Sequence, residues 1–458
     1  MKTTLSIGYG EPAIPKMAEA EQIDLTGDDG AAQPQPAEPD PWVCSANDAV
    51  RLQLVSIGAT QIATSIAGGD AARGDAGGTR PPPFAPRYTH QVFRPDETIH
   101  GYQGLSITLS YNAASLASRF DVAFDSKRQG DTGEVDDVEG RLTELLGEGR
   151  AATEAEFAAA CEPVGEVVHT YERHGVAYEV RRANLGAPRA REHNERLTSL
   201  LLLFVDGASG IDGSDPLWVV FTCYQRPVGG GAPTVAGFTT VYPFNRMVRG
   251  EMKEIFRLSQ MLVLPPYQRG GHGAEMLKVV YREGRSRGSH EVSIEDPGPE
   301  MELCRLATDA RNAAAAPALL PPQEAGAAEG QALDWGQLPA FVASARPALL
   351  LTPGAATAVF ELAVLSSIDQ SDAEAVKGFR LAVKGRLFRE DEELRCVPDV
   401  DARKAELQRR YEELLARYNS VLQRTGPLRL RRPGDEPAKR RDTFVREERP
   451  AARQKLLE

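Results

Sequence analysis

The sequence predicts an α/β (α+β) fold, and three observations carry that prediction. Short segments that alternate apolar and polar residues, such as Arg51 to Val55 (RLQLV), recur up to residue 295, as strands with one face on a core do. Between residues 258 and 283 an apolar run, a Gly-rich turn and a helical pattern follow one another. Towards the C-terminus Leu407, Tyr411, Leu414, Tyr418 and Val421 are spaced four, three, four and three apart, the stripe of an amphipathic helix.

Length and composition bound the rest. A chain of 458 residues with 41% hydrophobic content can bury several cores, and its net charge is −12. No apolar run approaches the roughly 18 to 20 residues of a membrane span, and Leu200 to Val205 is the longest dense one. The start, MKTTLSIGYGEP, lacks the pattern of a secretory signal. Cys44, Cys161, Cys223, Cys304 and Cys396 have no metal-ligand spacing, which predicts a reducing compartment and no metal. The acidic balance argues against direct nucleic-acid binding and suits a basic protein or peptide partner.

Residues 1–41 are rich in Ala, Glu, Pro, Asp and Gln without an apolar period and are predicted disordered. Within them EQIDLTGDDG reads as a plain acidic tail, with strand addition to a partner's sheet as the alternative. Residues 42–150 form an N-terminal domain. There RLQLV, THQVF and LSITLSY read as strands, DVEGRLTELLGEG as a helix stopped by glycine, and 56–86 as a surface insertion. Residues 151–311 hold strand VAYEVRRANL, a buried helix from Glu195 to Val205, and strands PLWVVFTCYQ and AGFTTVYPF. A strand at 258–264, the Gly loop, a helix to about Glu283 and strand HEVSIEDP complete them. Residues 312–330, mostly Ala, Pro, Gly and Glu, read as a linker. Residues 331–425 read as a helical domain, with Glu406 and Glu413 four residues before Arg410 and Arg417. The tail 426–458 reads as disordered and basic, its KRR at 439–441 a candidate nuclear-import patch.

The loop QRGGHGA (268–274) carries the first chemistry. A strand, a glycine-rich turn and a helix start present backbone N–H groups to an anion, and glycine lets a diphosphate reach the main chain. The Walker pattern is absent, and the spacing G-G-x-G does not match the dinucleotide fingerprint G-x-G-x-x-G. Gln268, Gly271 and Gly273 do fill Gln/Arg-x-x-Gly-x-Gly/Ala, which resembles the pyrophosphate loop of the acetyl-CoA-dependent N-acetyltransferase superfamily. Read outward, SQMLVLPPYQRGGHGAEML followed by SIEDP resembles the catalytic subunit of type B histone acetyltransferases. YTHQVF, DETIHGYQGLSITL, HNERL, FVDGAS, TVY and LSSIDQSDAEAVKGFRLAVKGRLF match the same family in order, so the resemblance covers most of residues 42–424.

The resemblance implies the N-acetyltransferase fold with a mixed central sheet, an N-terminal α/β domain and a C-terminal helical domain. It implies direct transfer from acetyl-CoA, in a ternary complex and without metal, to lysines of the newly made histone H-four tail. A WD-repeat histone-binding partner, residence in nucleus and cytoplasm, and no direct contact with nucleic acid or membrane follow from it. It assigns acetyl-CoA to Met261, Leu262, Val263, Gln268, Arg269, Gly270, Gly271, His272, Gly273 and Ala274, with His272 read as loop packing. It makes Glu295 the general base and Asp296 its neighbour, where the residues alone read as an acidic turn closing a strand. Burial or crowding by a second carboxylate would raise such a base into a useful range. Asp206 stands where the family has an assisting glutamate and is one methylene shorter. Asp96, Glu97, Trp218, Tyr242, Pro243 and Phe244 match tail-contacting positions, Pro243 replacing an asparagine; Trp218 and Tyr242 read equally as strand core. After Leu306 the apolar strand expected of the family is replaced by ATDARNAAAAPALLPPQ, which predicts shortened or displaced last strands. A non-catalytic histone escort and a small-amine acetyltransferase are the alternatives.

Overall fold

Alternation of apolar and polar residues dominates the first half of the described chain and helical stripes the second. The computed structural model describes residues 40–56, 81–129, 133–159, 162–227, 232–316, 319 and 335–428. The acidic N-terminal segment, most of the insertion and linker, and the basic tail lie outside the described residues.

The N-terminal part contains β1 (Val43–Ser45), β2 (Val50–Val55), β3 (Thr98–His100), β4 (Tyr102–Gln103), β5 (Ser106–Asn112), β6 (Ser118–Ala123) and β7 (Ser126–Lys127). β2, β5 and β6 form a three-stranded sheet with β2 parallel to β5 and β6 antiparallel to it. Helix α1 (Val138–Leu146) ends at Gly147, whose φ of 49° explains why glycine stops it. Two readings are corrected here. Phe84, inside the expected insertion, exchanges both backbone hydrogen bonds with Leu52 and so extends the sheet edge. THQVF is a turn: the N–H groups of Val92 and Phe93 donate to Thr89 O at 2.9 and 2.8 Å. Both of these consecutive side chains are buried, which a strand could not arrange on one face.

The central sheet has the order β13-β12-β11-β10-β9-β8. Its strands are β8 (Glu166–Arg173), β9 (Val176–Asn184), β10 (Val219–Gln225), β11 (Thr234–Val248), β12 (Glu251–Val263) and β13 (Glu291–Ile294). All neighbours are antiparallel except β12 and β13, which are parallel. Helix α2 (Pro188–Leu201) precedes β10; it begins earlier than Glu195 and ends short of Val205. Its end is set by tertiary partners: Arg87 and Tyr88 N–H donate to Leu203 O, and the Gln91 amide donates to Leu202 O and Val205 O. Helix α3 (His272–Arg287) follows the Gly loop, and Met276, Leu277, Val280 and Tyr281 are all buried, as their spacing predicts. Helix α4 (Pro299–Ala314) replaces the strand expected after Leu306. Proline at its first turn and a buried stripe of Leu306, Ala307, Ala310 and Ala313 make that alanine-rich segment a helix.

The C-terminal helices are α5 (Leu338–Leu349), α6 (Pro353–Ser367), α7 (Ala373–Glu390) and α8 (Val400–Thr425). Fully buried Glu361 on α6 joins Arg386 of α7 at 2.6 and 2.8 Å and accepts from Tyr418 of α8 at 2.6 Å. The last turn of α5 and the residue after it close the outer edge of β13: Val292 N–H donates to Leu350 O, and Arg346 meets buried Glu291 at 3.0 Å. No single helix among the described residues is long and apolar enough to cross a membrane.

Candidate active site

The centre of the site is a strand that loses its neighbour. β13 accompanies β12 only from Ile255 to Leu258, and its last bond is Glu295 N–H to Leu258 O at 3.0 Å. Ser259 is an extra residue in β12, a bulge between the pairs Thr240↔Gln260 and Val241↔Leu258. Beyond it β12 pairs with β11 alone. Leu264 N–H donates to Ala236 O, so by alternation Leu262 also turns to β11 while Met261 and Val263 turn their N–H and C=O to the open edge. An extended amide chain can add there as another strand.

The Gly loop begins where this edge ends. The Gln268 amide donates to Val263 O at 3.0 Å and ties loop to strand. Arg269 and Gly271 have φ of 65° and 84°, and α3 starts with no side chain capping it. Among the described residues the backbone N–H groups of 269–274 have no partner, which leaves a row of donors at the positive end of a helix. The cradle is held from beneath. His272 is buried, with Tyr171 Oη 2.7 Å from its Nδ1 and the Tyr178 ring 4.4 Å away; a Cβ on Gly270 would lie 2.6 Å from its Nε2. A Cβ on Gly273 would stand 3.5 Å from Cys304 Sγ, 3.8 Å from Met261 Sδ and 4.0 Å from Val263 Cγ2. Gly270 therefore makes room for the His272 ring, a Cβ at Gly273 would meet only ordinary contacts, and the donors fit a diphosphate.

A charge cluster missed by sequence reasoning stands beside the loop. Glu275 takes Arg173 at 2.5 Å, Lys278 at 2.9 Å and His169 at 3.0 Å. Burial alone would raise its carboxyl, but these partners outweigh burial and hold it at about 2. Arg173 reaches from the end of β8 to within 3.5 Å of the Cβ position of Gly271, adding a cation at the cradle.

The acceptor face lies on one side of the sheet. Tyr242 is opposite Arg257, and Arg257 opposite Ser293, so Tyr242, Phe244, Arg257 and Glu295 share a face. Trp218 packs on Tyr242 at 4.8 Å, and the Arg257 guanidinium lies 5.4 Å from the Phe244 ring centre. Tyr242 donates to Asp215 at 2.8 Å, a bond that raises its phenol pKa. Pro243 is buried on the opposite face, so it does not line this surface. Glu295 is exposed and so is Asp296, whose φ is 34°. Glu295 is held by Arg257 at 3.1 Å and by the Ser259 hydroxyl. Its setting is thus made by a cation and a hydroxyl, not by the burial or carboxylate crowding expected.

The other predicted acids fall in the adjoining loops. Ser209 O accepts from Gln260 at 2.8 Å, which seats the 206–209 loop against the bulged part of β12. Asp206 is exposed and meets His90 Nε2 at 3.1 Å. Glu97 is committed inside its own domain, accepting from Thr89 N–H at 2.7 Å and Asn47 at 2.6 Å. Asp96 is exposed, and the Thr98 hydroxyl bonded to it holds its carboxyl below the usual value.

A family model described as "Histone acetyl transferase HAT1 N-terminus" matches residues 42–206. Curated proteins called "Histone acetyltransferase type B catalytic subunit" are similar over far more of the chain. One from Homo sapiens is 32% identical over 328 residues, 67% of this chain and 74% of that protein. One from Rattus norvegicus is 30% identical over 383 residues, 74% and 87% of the two chains. The chain belongs to the type B histone acetyltransferase catalytic subunits. A fungal member from Mycosarcoma maydis, 29% identical over 380 residues, spans 74% of this chain and 83% of its own.

Membership makes the protein an acetyltransferase and implies acetyl-CoA as donor, which the open edge and the N–H row fit. Arg173, Asp215, Arg257, Ser259 and His90 were not singled out by sequence reasoning. For Arg257 a signal existed in the alternation along its strand, whereas Ser259 is the unpaired bulge and shows only in the register. For His90 and Arg173 none did, since their partners are 116 and 102 residues away.

Proposed function

We propose that this type B acetyltransferase acetylates lysine side chains of the histone H-four N-terminal tail by direct transfer, with Glu295 as general base. The observation that carries this is the placement of Glu295 at the end of β13, where β12 opens its edge and one sheet face presents Trp218, Tyr242 and Phe244.

Bound acetyl-CoA supplies an activated acyl thioester. The N–H groups of 269–274 hold its diphosphate, and Met261 and Val263 bond the amide arm along the strand edge. A strand N–H there is also placed to stabilise charge developing on the thioester oxygen. Trp218 and Tyr242 flank the aliphatic stem of the incoming lysine, Asp215 and Asp96 complement a basic tail, and Asp206 assists the transfer. Glu295 exchanges the Ser259 hydroxyl for the ammonium and takes its proton, because only the neutral amine attacks. Burial raises the thiol pKa of Cys304, the cysteine at the loop, so it is a poor nucleophile for an acetyl-enzyme; this supports direct transfer.

The same reading takes in a WD-repeat histone-binding subunit and residence in both nucleus and cytoplasm, and the net charge of −12 suits a basic cargo. The test is mass spectrometry of an H-four tail peptide after incubation with the protein and acetyl-CoA. Acetylated lysine, lost in Glu295→Gln, is the expected result. Peptide binding without turnover would make the chain an escort, and turnover of small amines with no competition by the peptide would reassign its substrate.

A further inference from the structure

The turn at residues 87–93 belongs by sequence to the N-terminal part, yet it is bonded to the segment carrying Asp206. Arg87 and Tyr88 N–H groups donate to Leu203 O at 2.9 and 3.1 Å, and the Gln91 amide bridges Leu202 O and Val205 O. His90 continues this clamp. Its Nε2 lies 3.1 Å from Asp206 Oδ1, and its Nδ1 lies 3.5 Å from Glu97 Oε1. Glu97 is itself immobilised by Thr89 N–H and Asn47, and its backbone is held at a φ of 59°. The Asp206 side chain is 69% exposed, and His90 is its one partner among the described residues. An exposed, short carboxylate with a single tether has its place decided by that tether.

We infer that His90 is a positioning residue: anchored by Glu97, it aims the Asp206 carboxylate at the acceptor amine, offsetting the shorter side chain at that position. The inference rests on the reading above, in which Asp206 assists transfer. It gives the turn a catalytic purpose and makes the Asn47–Glu97–His90 chain part of the acceptor site.

The geometry supplies its own controls. A glutamine at 90 places an amide N–H near the position of Nε2 and can still reach Asp206. An asparagine mimics Nδ1 and cannot. The experiment measures kcat and both KM values, with melting temperature, for the full chain and for His90→Ala, His90→Gln, His90→Asn, Asp206→Ala and the double variant His90→Ala/Asp206→Ala. The expected result is a fall in kcat of about tenfold for His90→Ala and His90→Asn. The KM for acetyl-CoA stays unchanged, His90→Gln recovers most of the rate, and the double variant is no worse than Asp206→Ala. Losses that multiply in the double variant, or glutamine no better than asparagine at matched melting temperature, would overturn the positioning role while leaving Asp206 in place. Full activity in Asp206→Ala would remove the reading beneath it and the inference together.

Discussion

Gly271→Ala separates the cost of a strained backbone from the cost of a blocked cofactor. Gly271 has a φ of 84°, and the nearest group to an added Cβ is Arg173 Nε at 3.5 Å. An alanine held in that conformation costs about 1 kcal/mol, which the exposed loop relieves by rotating the peptide. Rotation turns a loop N–H away from the diphosphate. One charge-assisted hydrogen bond is worth about 2 kcal/mol, so acetyl-CoA affinity should fall roughly 30-fold. Gly288 is the control: it ends the same helix at a φ of 76°, with nothing within 4 Å of its Cβ position. Gly288→Ala bears the same backbone penalty far from the loop. Calorimetric titration with coenzyme A and urea unfolding of both variants are the assays. Both should lose about 1 kcal/mol of stability or less, and only Gly271→Ala should lose affinity. Equal affinities in the two variants would refute the role assigned to the loop N–H groups.

Other substitutions test the remaining parts. Glu295→Gln should lower kcat by about 10²-fold or more with the KM for acetyl-CoA unchanged, measured by steady-state acetylation of a tail peptide. Tyr242→Phe removes the bond to Asp215 and should raise the peptide KM about fivefold, leaving cofactor affinity alone. Glu361→Ala strands the Arg386 guanidinium among α6, α7 and α8 and should cost about 3 to 5 kcal/mol in urea unfolding. Burial, seconded by the charge of Arg196, pushes His193 down to about 3. The native state therefore keeps this imidazole neutral while the unfolded chain protonates near pH 6.5, so its contribution is whole above 6.5 and shrinks as pH falls towards 3. The expected slope is about 1.4 kcal/mol per pH unit, and His193→Gln should flatten it in unfolding measured from pH 7.5 to 4.5.

The Gly loop was legible because its chemistry is local: a short glycine pattern, a preceding strand and a following buried helical stripe are all contiguous. The pair Glu295 and Asp296 was legible locally only as an acidic turn closing a strand before Pro297, and the choice of Glu295 came from the family resemblance. THQVF was misread because alternation is a weak signal over five residues, and a carboxylate from Glu97 decides its turn. After Leu306 the departure from the family's apolar strand was legible, but the helix that stands there was not read, although Pro299 and a buried alanine stripe favour it.

By itself the sequence determined the elements whose information is contiguous: the strand alternation, the loop glycines, the amphipathic stripes and the acids beside them. Only the tertiary structure decided that β13 leaves β12 after Leu258, that a bulge at Ser259 opens the strand edge, and that His90 meets Asp206. Those features depend on register and on contacts between residues well separated in the chain, from about 20 positions at the bulge to 116 between His90 and Asp206, and pairings of that kind are selected by the packing energy of the whole core rather than by any local pattern.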